Sequence, residues 1–453
     1  MKPITDDIRW KDYFDAIAAS QSISVQGRVE KVVGLVVEGH GPRMSVGSIC
    51  SICNGDHEVP AEVVGFRDNK IVLMPFGEMR GINPGSHISM RSDRPYVAVG
   101  NGYIGRVVDG LGCPVDDLGA IVSSASYPLY GKTINPMKRC PIHEVADVGV
   151  RAINAFLTIG KGQRMAIMSG SGVGKSVLMG MIARHTAADV VVIGLIGERG
   201  REVREFVEKD LGKEGLKKSV VVAATADSPP LIRIRGAYLA TTFAEYFRDQ
   251  GLDVLLMMDS ITRFAMSSRD IGLAAGEPPT AKGYTPSFFS QLPKLIERAG
   301  NVEGKGSITG IYTVLVEGDD INEPVSDAVR SVVDGHIVLS RKLSNRGHYP
   351  PVDVLASVSR VMRDIVTPGH MEYCMKLIDI MATYADAEDL IAIGAYVDGS
   401  NPKIDYAKMM IDKINTFLRQ DIHERVSVEA SVDYLIRLFK AKGQQSLVKE
   451  PKG

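Results

Sequence analysis

Residues 164–184, RMAIMSGSGVGKSVLMGMIAR, constrain this chain more than any other stretch. A short apolar strand runs into a loop holding Gly170, Gly172 and Gly174, and a helical segment begins at once. Backbone N–H groups at a helix start attract anions, and glycines let the main chain bend around a phosphate and approach it closely. The pattern is that of a phosphate loop, G-x-x-x-x-G-K-[ST], with Ser169 replacing its first glycine. That position is the strand exit and not the phosphate cradle, so the departure weakens the motif only slightly. Ser169, Gly170, Ser171, Gly172, Val173, Gly174, Lys175, Ser176 and Val177 are therefore expected to hold a nucleotide. Lys175 would reach the terminal phosphates, and the Ser176 hydroxyl would bind a magnesium ion accompanying ATP.

Such a loop needs a strand behind it, and the surrounding sequence supplies a whole sheet. After residue 94 apolar strands alternate with helices: RMAIMS, DVVVIGLIG, SVVVAATA and DVLLMMD, with the helix AYLATTFAEYFRDQ before the last. Strands apolar on both faces and joined by helices make a parallel sheet covered on each side. Two of these strands deliver acids to the carboxyl edge, where ligands of such sheets bind. Asp259 ends DVLLMMD and suits a magnesium-coordinating role; Glu198 follows VVVIGLIG and suits water activation. Capping of the helix that follows is the competing role for either acid.

Elsewhere the pattern differs. Trp10, Tyr13, Phe14 and Ile17 recur at helical spacing near the amino terminus, which predicts a short amphipathic segment over residues 1–20. From residue 21 the period becomes two, and EVVGFRDNKIVLMPF reads as a hairpin with Asp68-Asn69 at its tip. Residues 21–94 are expected to form a small β-barrel, 95–370 the central α/β nucleotide domain, and 371–453 a helical domain. In that last part Met410, Ile411, Ile414, Phe417 and Leu418 share one helical face, and the final residues are expected to fray.

The formal net charge of −1 provides no global attraction to nucleic acid or an anionic membrane. The amino terminus lacks a signal-peptide core, and no apolar run approaches the roughly 18 residues of a membrane span, so a cytoplasmic location is expected. Five cysteines, thinly spread, suit a reducing compartment. Cys50 and Cys53 would point to opposite faces of a strand, which disfavours a metal or redox pair.

Several long segments, among them VVIGLIGERGREVREF, LLMMDSITRFAMSSRDIGLAAGEPPTAKGYTPSFFSQLPKLIERAG and HYPPVDVLASVSRVMRDI, resemble the catalytic-type subunits of rotary ATP synthases. They are most similar to the ATPases of type III protein export, over residues 21–440. The resemblance implies a small β-barrel, a RecA-like phosphate-loop domain and a C-terminal helical domain. It implies that Glu198 activates water and that Arg199 accompanies it in the catalytic site. It further implies that Tyr349 packs on adenine and that Arg360 acts as an arginine finger on the neighbouring subunit's nucleotide. One chain carrying both Glu198 and Arg360 implies a homohexamer of like sites.

The barrel segments are similar to those of flagellar export ATPases, which implies ATP hydrolysis that energises flagellar type III export. The implied partners are a stator-like regulator, a central stalk protein, the export gate, export chaperones and cargo proteins. Recruitment to the cytoplasmic face of the inner membrane, as a peripheral association, belongs to the same reading. An injectisome ATPase is the alternative, followed by a rotary synthase catalytic subunit. An RNA-dependent translocase needs aromatic residues interleaved with basic ones on the barrel, and VQGRVEKVVGLVVEGHGPRMSVGSIC has almost none, so no nucleic-acid partner is expected.

Overall fold

The computed structural model describes residues 13–14, 25–316, 318, 320 and 323–440. Apart from Tyr13 and Phe14, the amphipathic segment expected near the amino terminus lies outside the described residues, as does the tail expected to fray. The chain forms two compact units, which divide between Pro95 and Tyr96.

The first unit is a closed six-stranded barrel. Its strands are β1 (Gly27–Val33), β2 (Val36–His40), β3 (Ile49–Asn54), β4 (His57–Arg67), β5 (Lys70–Pro75) and β6 (His87–Ser92), in the order β1-β2-β5-β4-β3-β6. The β4–β5 hairpin turns at Asp68 and Asn69, with φ of 47° and 63°. That left-handed pair matches the twist of antiparallel strands, and Asp and Asn tolerate it. Val37, Ile52, Val63, Leu73 and Ile88 fill the interior. Cys50 is buried with them while Cys53, three residues on in β3, is partly exposed, as the alternation of a strand requires.

The second unit is built on a nine-stranded sheet. Its long path uses β7 (Val107–Val108), β8 (Arg164–Ser169), β9 (Val190–Ile196), β10 (Ser219–Ala224), β11 (Asp253–Asp259), β12 (Ser307–Leu315), β13 (Gly335–Leu339) and β14 (Val352–Ser359). Their order is β14-β13-β8-β12-β11-β9-β10-β7, all parallel except the β13–β14 pair; a two-residue strand at Gly300–Asn301 adds to β12. Every residue of β9 is buried. Val191, Ile193 and Leu195 pack in one core with Leu178 and Ile182 of helix α1 (Lys175–His185). On the other face Gly194 lies against Ala240 of helix α2 (Pro230–Asp249), where a Cβ would stand 3.2 Å from its neighbour. Burying each such Val, Ile or Leu stabilises by about 1.5–3 kcal/mol, which is why the strands read as unbroken apolar runs.

Helix α3 (Ile261–Ala275) follows β11, with the Ser260 hydroxyl accepting from the Arg263 N–H as its N-cap. Beyond the sheet come α4 (Pro368–Ala392), α5 (Pro402–Leu418) and α6 (Val428–Lys440). Met410, Ile414, Phe417 and Leu418 are buried along α5, and Ile411 is partly so. Arg151 fastens these helices to the sheet side: Nη1 donates to the Phe417 carbonyl at 2.9 Å, and its guanidinium lies 5.4 Å from the Tyr434 ring centre. A buried guanidinium sandwiched between aromatic faces and carbonyls keeps its charge solvated by protein.

Candidate active site

The phosphate loop connects β8 to α1. Ser169, the last residue of β8, is buried, and the loop emerges toward solvent at Ser171 and Gly172. Gly172 has φ of 73° and Gly174 of 103°, a region that side chains disfavour, so these two glycines have a backbone reason to be there. A Cβ on Gly174 would stand 3.7 Å from the Tyr349 ring. Tyr349 therefore lies beside the loop; the residue is 48% exposed and its hydroxyl is 3.1 Å from that of Ser344. An exposed aromatic face next to a phosphate cradle is available to a flat base.

Lys175, the first residue of α1, turns back along the carboxyl edge of the sheet. Its ammonium donates to Asp259 Oδ1 in a short charged hydrogen bond and stands 3.8 Å from Glu198 Oε1. Asp259 is 3% exposed, and the same Oδ1 accepts from the Thr313 hydroxyl at 2.6 Å. Strand register explains the meeting: Leu195 of β9 pairs with Asp259, and Ile167 of β8 pairs with Thr313 of β12, so the four strand ends converge. Two carboxylates face one ammonium. Burial, helped by the neighbouring Asp259 charge and opposed by Lys175, pushes the Glu198 carboxyl up to about 7. A carboxyl that exchanges its proton near neutrality is matched to accepting one from water.

Not every expected residue joins this cluster. Arg199 faces solvent, its side chain 80% exposed, with Glu202 at 3.7 Å as an ion-pair partner. Arg360 follows the end of β14, and its backbone N–H donates to the Asp334 carbonyl just before β13. Since β13 runs parallel to β8, this is the amino edge of the sheet, one strand length of about 17–20 Å from the phosphate loop. Arg360 is exposed there, its Nη2 3.5 Å from the Arg330 carbonyl. The surroundings are positive: burial first, then the charges of Arg330 and Arg360, hold His336 below the usual imidazole range.

Among the described residues no group of three or more His, Cys, Asp and Glu side chains is arranged to hold a metal. The exposed Ser176 hydroxyl in the first turn of α1 and the Asp259 carboxylate are hard oxygen donors at one edge. That pair fits a magnesium ion whose remaining ligands are water and phosphate oxygens, the usual arrangement for this metal. Thr313 joins the site with only a weak signal in the sequence, a hydroxyl inside the apolar run ITGIYTVL.

A covered parallel sheet with a phosphate loop, a lysine and two strand-end acids defines a nucleotide-binding ATPase domain. Residues 149–359 match the family described as ATP synthase alpha/beta family, nucleotide-binding domain; residues 29–90 match its beta-barrel domain, and 366–437 match the T3SS EscN ATPase C-terminal domain. The flagellum-specific ATP synthase of Bacillus subtilis strain 168 is 50% identical over 436 residues, covering 95% of this chain and 99% of the relative. That of Pseudomonas aeruginosa is 49% identical over 441 residues, covering 96% and 98%. The assembled ATPase EscN of the enteropathogenic E. coli type III secretion system superposes with a TM-score of 0.87 at 42% identity, covering 91% of this chain and 99% of EscN. EscN in complex with its central stalk EscO gives 0.84 at the same identity and coverage. The chain belongs to the family of flagellum-specific ATP synthases and type III secretion ATPases.

Proposed function

We propose that this chain hydrolyses ATP, with magnesium, to energise protein export through a flagellar type III apparatus, working as a homohexameric ring whose sites are shared between neighbours. The observation that carries the shared site is the separation within one chain: Lys175, Asp259 and Glu198 gather at the carboxyl edge, and Arg360 sits at the other. A chain's own Arg360 is therefore out of reach of its own phosphate loop, and in this reading a neighbour's Arg360 reaches the γ-phosphate instead.

In this reading the loop N–H groups and Lys175 hold the phosphates, and Lys175 exchanges Asp259 for them when nucleotide arrives. Ser176 and Asp259 would hold magnesium, which when bound neutralises phosphate charge. Glu198 accepts a hydrogen bond from the attacking water and takes its proton as the bond to the γ-phosphorus forms and the bond to the ADP oxygen breaks. Tyr349 stacks on adenine. Arg199, now facing solvent, would turn inward in the assembled site. The names of the relatives support the export role; the flagellar relatives at 50% and 49% identity support the flagellar branch, and the type 3 secretion system ATPase of Xanthomonas euvesicatoria at 46% keeps the injectisome reading beside it. The complex of EscN with EscO supports a central stalk partner. Among the described residues no helix is long and apolar enough to cross a membrane, which accords with a cytoplasmic ring recruited to the inner membrane by its regulator, gate, chaperones and cargo.

The test is mutational. Glu198→Gln lowers ATP turnover by about 10²–10⁴-fold, and Arg360→Ala by about 10³–10⁵-fold, while both bind a fluorescent ATP analogue within about threefold of the parent, less than 1 kcal/mol. Turnover that survives either change contradicts the assignment. Flagellar export is then compared between cells carrying Glu198→Gln and cells lacking the protein: export as poor as in the lacking cells makes hydrolysis the engine, and near-normal export makes the ring a docking platform for chaperones and cargo.

A further inference from the structure

The amino edge of the sheet holds a knot of hydrogen bonds with no local motif. Gln163 is fully buried; its side-chain amide donates to Ser359 Oγ at 3.1 Å and to the Asp334 carbonyl at 3.3 Å, and its Oε1 accepts from the Gly160 N–H at 2.8 Å. One residue on, Arg164 grips the Asp334 carboxylate as a fork, Nε to Oδ2 and Nη2 to Oδ1, both 3.0 Å. The Arg164 backbone N–H adds a third bond to Oδ2 at 3.0 Å, and the Asp334 N–H returns to the Arg164 carbonyl at 2.8 Å. Glu297 braces the arginine from another side and is itself held by Arg139 at 2.8 Å. The Asp334 carbonyl accepts the Arg360 backbone N–H at 3.0 Å.

Arg360 leans on this knot through its backbone; its other hold is the Arg330 carbonyl, 3.5 Å from Nη2, and the preceding Ser359 hydroxyl donates to the Thr158 carbonyl at 2.9 Å. Among the described residues strand β14 lies at the border of the sheet and pairs with β13 alone, and the register of that pair slips between His336 and Val338. Gly335 opposite Ser359 is the last regular pair before Arg360. A planar guanidinium–carboxylate fork defines orientation as well as distance, which a single long side-chain contact does not.

We propose that Asp334 is a positioning residue for Arg360: clamped by Arg164 and Gln163 to the base of the phosphate-loop strand, it sets the place from which Arg360 is offered to the adjoining chain. The inference rests on the shared-site reading given above. Groups that must meet a transition state lose much of their effect when displaced by about 1 Å, so loosening Asp334 lowers turnover in the neighbour and not in the chain that carries the change.

Mixed assemblies separate these effects. Chains with Glu198→Gln can donate Arg360 but cannot hydrolyse; chains with Arg360→Ala can hydrolyse only with a donated arginine. Their mixture is expected to exceed the summed activity of the two alone. Adding Asp334→Asn to the donor should reduce the restored activity about tenfold or more, whereas adding it to the acceptor should leave it within about twofold, a shift of less than 1 kcal/mol. Arg164→Lys, which keeps the charge and loses the fork, should show the same asymmetry if Asp334→Asn fails to assemble. Equal loss from donor and acceptor placements overturns the inference and makes the knot a folding feature. If the parent pair restores nothing, the shared-site reading fails and the inference falls with it.

Discussion

At the carboxyl edge of the sheet, Asp259 and Glu198 compete for one lysine. At the amino edge, Arg139, Glu297, Arg164 and Asp334 alternate in sign and pair off. The first arrangement leaves an excess carboxylate whose protonation is poised; the second spends its charges on fixing geometry. In the proposed mechanism reactivity belongs to the unbalanced edge and alignment to the balanced one. The contrast teaches that buried charge density alone does not mark a catalytic site; incomplete pairing beside an open phosphate loop does.

The contrast can be broken by experiment. Among the effects that tell the two edges apart, the largest is on pH. In the proposed mechanism Glu198 works as a carboxylate, and with its ionisation at about 7 and not at the ordinary 4.5, kcat/KM should fall about tenfold per pH unit below neutrality, or about 100-fold by pH 5. A profile flat down to pH 5.5 would place the reactive proton elsewhere. Changes at the amino edge should leave the midpoint of this limb unmoved, which separates the two edges.

Next comes base recognition. Tyr349→Ala should raise the KM for ATP by about 5–10-fold, the loss of roughly 1–1.5 kcal/mol of stacking, with kcat little altered. An unchanged KM would mean that the ring beside Gly174 does not meet the base. The smallest effect is at Thr313→Val, which removes one hydrogen bond from Asp259 Oδ1. One such bond to a charged group is worth about 1.5–3 kcal/mol at most in a fixed setting; with Lys175 still attached, kcat should drop only about 3–10-fold, read at saturating magnesium. A magnesium requirement that shifts together with kcat would tie Thr313 to the ion.

Legibility followed sequence locality. The phosphate loop lies in one contiguous stretch, and Asp259 and Glu198 could be picked out because an acid at the end of an apolar parallel strand falls on the ligand edge. The barrel hairpin was readable from Asp68-Asn69, and the covered sheet from its unbroken apolar runs. Thr313 needed the register of β12 against β8 and β11, because a lone hydroxyl in a strand has many uses. The Gln163–Ser359 and Arg164–Asp334 contacts join residues 196 and 170 positions apart, so no window of sequence displays them. Arg360 and Tyr349 are legible only through the family resemblance; by composition and spacing alone Arg360 is a surface charge. Arg199 came from the same resemblance, and its solvent-facing side chain is set by the helix turn that pairs it with Glu202.

The claim that one ATP is shared between two chains is tested most directly by measuring turnover against assembly state. Single protomers, isolated and verified by mass at high dilution, should hydrolyse ATP about 10³-fold or more below the assembled ring, the deficit expected for a missing arginine, and Arg360→Ala should change the protomer rate little. Protomers that turn over as fast as the ring would contradict the account.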